Sequence, residues 1–155
     1  MGRKSDSKKL IYDENIMRIG IMLYKKSEIT IEILYHLMKT KRIDSFSAII
    51  VSSKMKHFKE FLKKQKRKTD LLVELDPVNN IYGMFCQETQ VDGGFYFMRR
   101  LQQHPDLKKS KIYAAIVGVE STTYPYKDLL FIILDTYIKL LNSDTGDTVL
   151  FKTVK

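Results

Sequence analysis

Tryptophan is absent, and cysteine, proline and glycine are scarce: one, three and seven residues respectively in a chain of 155. A single cysteine excludes an internal disulfide, and the apolar run around Cys86 marks it as a small buried hydrophobe of a reducing compartment. The three histidines, His36, His57 and His104, are scattered without ligand spacing, which argues against a zinc site. Long apolar runs are missing as well. The stretch 129–134 is far too short to cross a bilayer, and the polar, basic residues 1–9 lack an apolar signal core. The expectation is a cytoplasmic chain with no transmembrane segment, disordered over residues 1–9.

Acidic residues are also in the minority, which leaves a net charge of +9. The excess is concentrated in residues 54–68, where Lys54, Lys56, Lys59, Lys63, Lys64, Lys66, Arg67 and Lys68 face one acid, Glu60. Such a run attracts polyanions through its long-range field, and a solvated helix face has the same composition. With 44% hydrophobic residues, the chain is long enough to bury one continuous core without metal or disulfide support.

Periodicity divides the chain at about residue 45. Residues 10–45 read as N-terminal helices: Asp13 caps one carrying Ile16, Met17, Gly20, Ile21 and Tyr24, and Ser27 caps a second carrying Ile33, Leu34, Leu37 and Met38. From residue 46 the order is β, α, β, β, α, β, α, β. The strand-like run 46–52 precedes a basic helix over 54–66, with Met55, Phe58 and Leu62 on one stripe. Strands over 71–75 and 81–87 flank Asp76, Pro77, Val78, Asn79 and Asn80, a composition suited to an antiparallel hairpin connection. Asp92 is placed to cap a helix that stops near His104-Pro105; a strand over 111–119, a helix over 127–141, a polar turn over 142–147 and a strand over 148–153 complete the chain. Tyr82, Phe85, Phe95, Tyr96 and Phe97 read as core aromatics.

The fold class is therefore α/β (α+β): a βαββαβ, ferredoxin- or palm-like sheet with antiparallel pairs over 46–155, preceded by helices. Fold alone leaves function open. Three pieces narrow it: Arg67-Lys68-Thr69-Asp70 before a strand, a helix ending Met98-Arg99-Arg100-Leu101, and the string from Val117-Gly118-Val119-Glu120 through Tyr124-Pro125 to Asp135-Thr136-Tyr137, with Gly146 before the apolar end. Together they resemble the second half of the GGDEF, or diguanylate cyclase, family over residues 46–152, most clearly from 67 onward. The resemblance implies that Arg67 and Asp70 stand at the Arg-x-x-Asp tetrad of that family's inhibitory site, which holds cyclic-di-GMP. Arg99 falls at the place of the arginine that completes it, with Arg100 and Lys68 as neighbours. Arginine presents a rigid fork of donors to phosphate or to the guanine O6 and N7 edge, and a carboxylate accepts from guanine N1 and N2 hydrogens.

What the resemblance lacks is the catalytic machinery. Cyclases of this fold need carboxylates for magnesium and a glycine-rich hairpin for the triphosphate. Here residues 46–59 contain no acid, Lys54 and Lys56 fall near the aspartate positions, and residues 76–80 hold a proline and no glycine. The Gly93-Gly94 pair lies at a helix start and is no substitute. The expectation is a non-enzymatic, degenerate receptor domain, without cofactor or metal, that binds cyclic-di-GMP and regulates a partner protein in exopolysaccharide, biofilm or motility control. The alternatives are an interaction scaffold that has lost the nucleotide, with a homodimer formed through the N-terminal helices, and a nucleic-acid-binding domain using residues 54–68; the last is the least favoured.

Overall fold

The structure, a computed structural model, describes residues 14–143 and 148–155. The predicted disorder of residues 1–9, the Asp13 cap and Gly146 lie outside the described residues. Helix α1 spans Glu14–Lys39, followed by strand β1 (Phe46–Ser53), helix α2 (Phe58–Gln65), β2 (Leu71–Asp76), a 3-10 turn (Pro77–Asn79) and β3 (Ile81–Gln87). Helix α3 (Val91–Gln102), a second 3-10 turn (Pro105–Leu107), β4 (Ile112–Val119), α4 (Tyr126–Leu141) and β5 (Val149–Val154) complete the order.

The strands form a single five-stranded sheet in the order β2-β3-β1-β4-β5. Central β1 is antiparallel to both neighbours, with Ile49 opposite Met84 on one side and Ile116 on the other, and β5 joins β4 in parallel, with Ala115 opposite Leu150. This is the split βαβ pattern expected of the sequence, extended by one crossover through α4. Because strand side chains alternate, each buried strand serves two cores. Ala48, Ile50, Ala115 and Val117 point to the layer of α1 and α4, where they meet Leu23, Leu34, Leu129 and Ile133. Ile49, Val51, Ala114 and Ile116 point to the layer of α2 and α3, where Phe58, Leu62, Met98 and Leu101 lie. Among the described residues, no helix is long and apolar enough to cross a membrane.

Four sequence expectations are corrected. The two helices anticipated before residue 40 are one helix of 26 residues, and Ser27 sits inside it. No glycine or proline interrupts residues 21–39, and the buried stripe Ile16, Ile19, Leu23, Ile31 and Leu34 runs straight through the Ser27 position, so packing continues the helix where a cap was expected. The basic helix starts four residues later than expected, since His57 adopts a left-handed conformation with φ 59° and the Met55 N–H turns back to Ser53 Oγ at 3.2 Å. Asp92 lies in the first turn of α3 and Gln90 occupies the cap position. Of the predicted core aromatics, Tyr82 and Phe85 are buried and Phe95 and Phe97 half-buried, whereas Tyr96 is exposed.

Ser27 carries a consequence for stability. Its side chain is fully buried, and its hydroxyl has no hydrogen-bond partner among the described residues. An unmade buried hydrogen bond costs about 1–3 kcal/mol, and alanine has the higher helix propensity. Ser27→Ala is therefore expected to raise the unfolding free energy by about 1 kcal/mol, measured by urea titration; a loss of stability would show that the hydroxyl is satisfied.

Candidate functional site

The turn that follows α2 is built on one carboxylate. After Lys66 the chain extends and then closes on itself, with the Asp70 N–H donating to the Arg67 carbonyl at 3.1 Å. Asp70 is buried, only 3% exposed. Its Oδ2 accepts the Arg67 backbone N–H at 2.9 Å, and its Oδ1 accepts Arg67 Nε at 3.1 Å and Nη2 at 2.9 Å. The three-residue spacing allows this because a tight turn brings the two side chains side by side. Nη2 also reaches the Gln87 carbonyl at 2.8 Å and Thr89 Oγ1 at 2.7 Å, so Arg67 ties the start of β2 to the end of β3. Donating to Asp70 raises the guanidinium pKa further, which keeps Arg67 charged at any physiological pH. Its Nη1 donors have no partner among the described residues.

Arg67 and Asp70 border a cavity of about 500 Å³, within the range of small-molecule sites. Helix α3 supplies another wall through Gly93, Phe97 and Arg100, which recur at i, i+4 and i+7 and so share a face. The Arg100 guanidinium lies 5.6 Å from the Phe97 ring centroid, a cation–π contact that holds it against the helix. Arg99 is one helical step round. It borders a separate recess with Phe95, Met98, Gln102 and Ile112, away from Arg67. Lys68 is exposed and lines a third recess beside β2. Of the five predicted site residues, the fold thus gathers Arg67, Asp70 and Arg100 in one cavity and places Arg99 and Lys68 elsewhere.

The same cavity contains three carboxylates that sequence reasoning missed: Asp44, Glu88 and Asp92. Their neighbourhood follows from register. Phe46 pairs with Gln87, so the residues just before β1 and just after β3 must meet. There the Glu88 N–H donates to the Ser45 carbonyl at 2.9 Å, and Glu88 Oε1 accepts the Asp44 N–H at 3.0 Å. Glu88 holds φ at 50°, a conformation uncommon for a residue with a side chain. Ser47 Oγ fastens the next loop by donating to the Thr89 carbonyl at 2.9 Å. Chemically, the cavity offers two guanidiniums for anionic oxygens and exposed carboxylates for N–H groups.

Cys86 also borders the cavity, yet it is buried. Burial first, and then the Asp70 charge, push its thiol up to about 12. Since the thiolate is the nucleophile, Cys86 is expected to resist a maleimide at pH 8 in the native protein and to react stoichiometrically only in denaturant. Rapid labelling of the native protein would contradict this placement.

At the opposite end of β1 the chemistry differs. Lys54 and Lys56 are exposed after the strand, Asn79 Nδ2 donates to the buried Asp76 at 2.7 Å, and Asn80 Nδ2 donates to the Met55 carbonyl at 3.0 Å. The residues of the β2–β3 connection therefore bond to one another and to the β1–α2 loop. No group of three or more His, Cys, Asp or Glu among the described residues is placed to hold a metal ion.

No protein-family model matches the chain, and no curated protein matches it by sequence. Solved structures do resemble it. The GGDEF domain of FimX from Pseudomonas aeruginosa aligns with a TM-score of 0.60 and 8% identity, over 83% of this chain and 91% of that one. The diguanylate cyclase SiaD from the same organism, solved in complex with its activator SiaC, aligns with a TM-score of 0.54 and 10% identity, over 80% of this chain and 57% of that one. At such low identity the likeness is one of architecture: this chain has the α/β fold of GGDEF domains.

Proposed function

We propose that this chain is a non-catalytic receptor domain that binds cyclic-di-GMP in the cavity between the turn at residues 67–70 and α3, and passes its occupancy to a partner protein. One observation carries the reading: Arg67, locked by a buried carboxylate, shares a 500 Å³ cavity with Arg100. Guanidiniums suit the two phosphodiesters of the ligand, and Glu88 and Asp92 suit the N1 and N2 hydrogens of guanine. In this arrangement Arg100 takes the part that the sequence resemblance assigned to Arg99. The absence of catalysis is supported by Lys54 and Lys56 where a magnesium site needs acids, and by the glycine-free connection at residues 76–80. A protein partner accords with SiaD, whose structure contains its activator SiaC.

Isothermal titration tests the proposal. Cyclic-di-GMP is expected to bind the parent protein, and Arg100→Ala to weaken binding at least tenfold without moving the melting temperature, since Arg100 is exposed. Absence of heat, or an affinity indifferent to Arg100→Ala, would refute the ligand. Formation of cyclic-di-GMP from GTP and magnesium by the parent protein would refute the non-catalytic part.

A further inference from the structure

The outer edge of the sheet differs from the cavity in both shape and charge. β2 is one of the two terminal strands, and every second residue of an antiparallel edge turns its N–H and C=O away from its neighbour. Among the described residues, β2 backbone groups bond only to β3. A groove of about 660 Å³ lies beside this edge. Its floor is apolar, with Leu71 44% exposed and Leu72 and Val73 half-buried. Its rim is cationic: Lys26 from α1, Lys63 from α2 and Lys68 form no close ion pair among the described residues, although the charge of Glu74 acts on Lys26 and Lys63 from a distance. The groove's Glu74 is already neutralised by Lys59 at 2.7 Å.

We propose that this edge accepts an acidic, extended segment of a partner protein as a sixth strand. Natural edges are usually guarded by lysine or proline on the edge strand itself, yet Leu71–Asp76 contains neither. The lysines stand instead on flanking elements, where they form walls around an open backbone. A register shift between Glu74 and Asp76 ends the regular edge, so the added strand pairs with residues 71–74. Main-chain hydrogen bonds supply affinity in such complexes, while alternate side chains supply selectivity. Here the selectivity is for acids toward the lysines and aliphatic residues toward Leu71 and Val73. A nucleic acid would satisfy the lysines only, leaving the edge groups and the exposed leucine without partners.

The test uses fluorescence anisotropy with the full chain and a labelled eight-residue peptide of alternating glutamate and valine. Two further peptides carry N-methyl groups on one or the other alternate set of residues. An added strand uses one edge of the peptide, so one methylated peptide is expected to lose at least tenfold in affinity while the other binds as the parent does. Lys26→Glu with Lys63→Glu, both exposed, is expected to weaken the parent peptide at least tenfold with an unchanged melting temperature. The proposal is overturned if the parent peptide does not bind, if both methylated peptides bind as tightly as it does, or if a single-stranded oligonucleotide of equal charge binds more tightly.

Discussion

Asp70→Ala is expected to lower the unfolding free energy by about 2 kcal/mol. The substitution removes an acceptor for the Arg67 backbone N–H and for both Nε and Nη2, at a position only 3% exposed. Removing one partner of a fully buried ion pair costs roughly 3–5 kcal/mol. The Arg67 side chain is 53% exposed, so water rehydrates much of the guanidinium and the smaller figure applies. Urea titration should show the loss in the midpoint with an unchanged slope. Asp70→Asn, which keeps the shape and one acceptor, should fall between the two. An Asp70→Ala variant within about 0.5 kcal/mol of the parent would mean that the turn does not depend on this carboxylate. Because Arg67 also bonds to Gln87 and Thr89, Arg67→Ala disturbs the turn as well as the proposed ligand contact, which is why Arg100 gives the cleaner binding test.

A second large effect is expected at Gly118 in β4. A Cβ there would stand 2.9 Å from the Val91 backbone nitrogen and 3.2 Å from its Cα, and backbone atoms cannot swing aside as a side chain does. Gly118→Ala must therefore push the first turn of α3 off the sheet, at a cost of about 2–3 kcal/mol. That turn carries Asp92 and Gly93, so the cavity widens, and under the proposed function cyclic-di-GMP affinity should fall with stability. Gly20→Ala is the control. Its nearest neighbour is the tip of the Leu134 side chain at 3.1 Å, which can rotate, and the position is helical, so the change should stay within about 1 kcal/mol. Equal melting temperatures for the two variants would contradict the close approach at Gly118.

The contrast between those glycines reflects what a sequence can and cannot carry. Strand β3 was legible to the residue at 81–87, because apolar residues between turn formers are a local signal. The turn over residues 76–80 was legible from its proline and asparagines for the same reason, and Asn80 closes it in a left-handed conformation. The start of α2 was not, since lysine-rich residues 54–57 have adequate helix propensity; contacts from Ser53 and Asn80, the latter distant in sequence, hold them out of the helix. Ser27 misled for the converse reason: its capping preference is local, while the stripe that buries it packs against β2 and α4.

By itself the sequence determined the order and type of the elements from residue 46 onward and the split βαβ pattern, which depend on period and turn composition. Only the tertiary structure decided that α1 is unbroken, that Arg100 and not Arg99 joins Arg67, and that Asp44, Glu88 and Asp92 surround them. The reason is that a helix or strand is set by residues a few places apart. The wall of a cavity is set by sheet register and helix phase, which join segments more than 40 residues apart, such as Asp44 and Glu88, and exist only once both cores have packed.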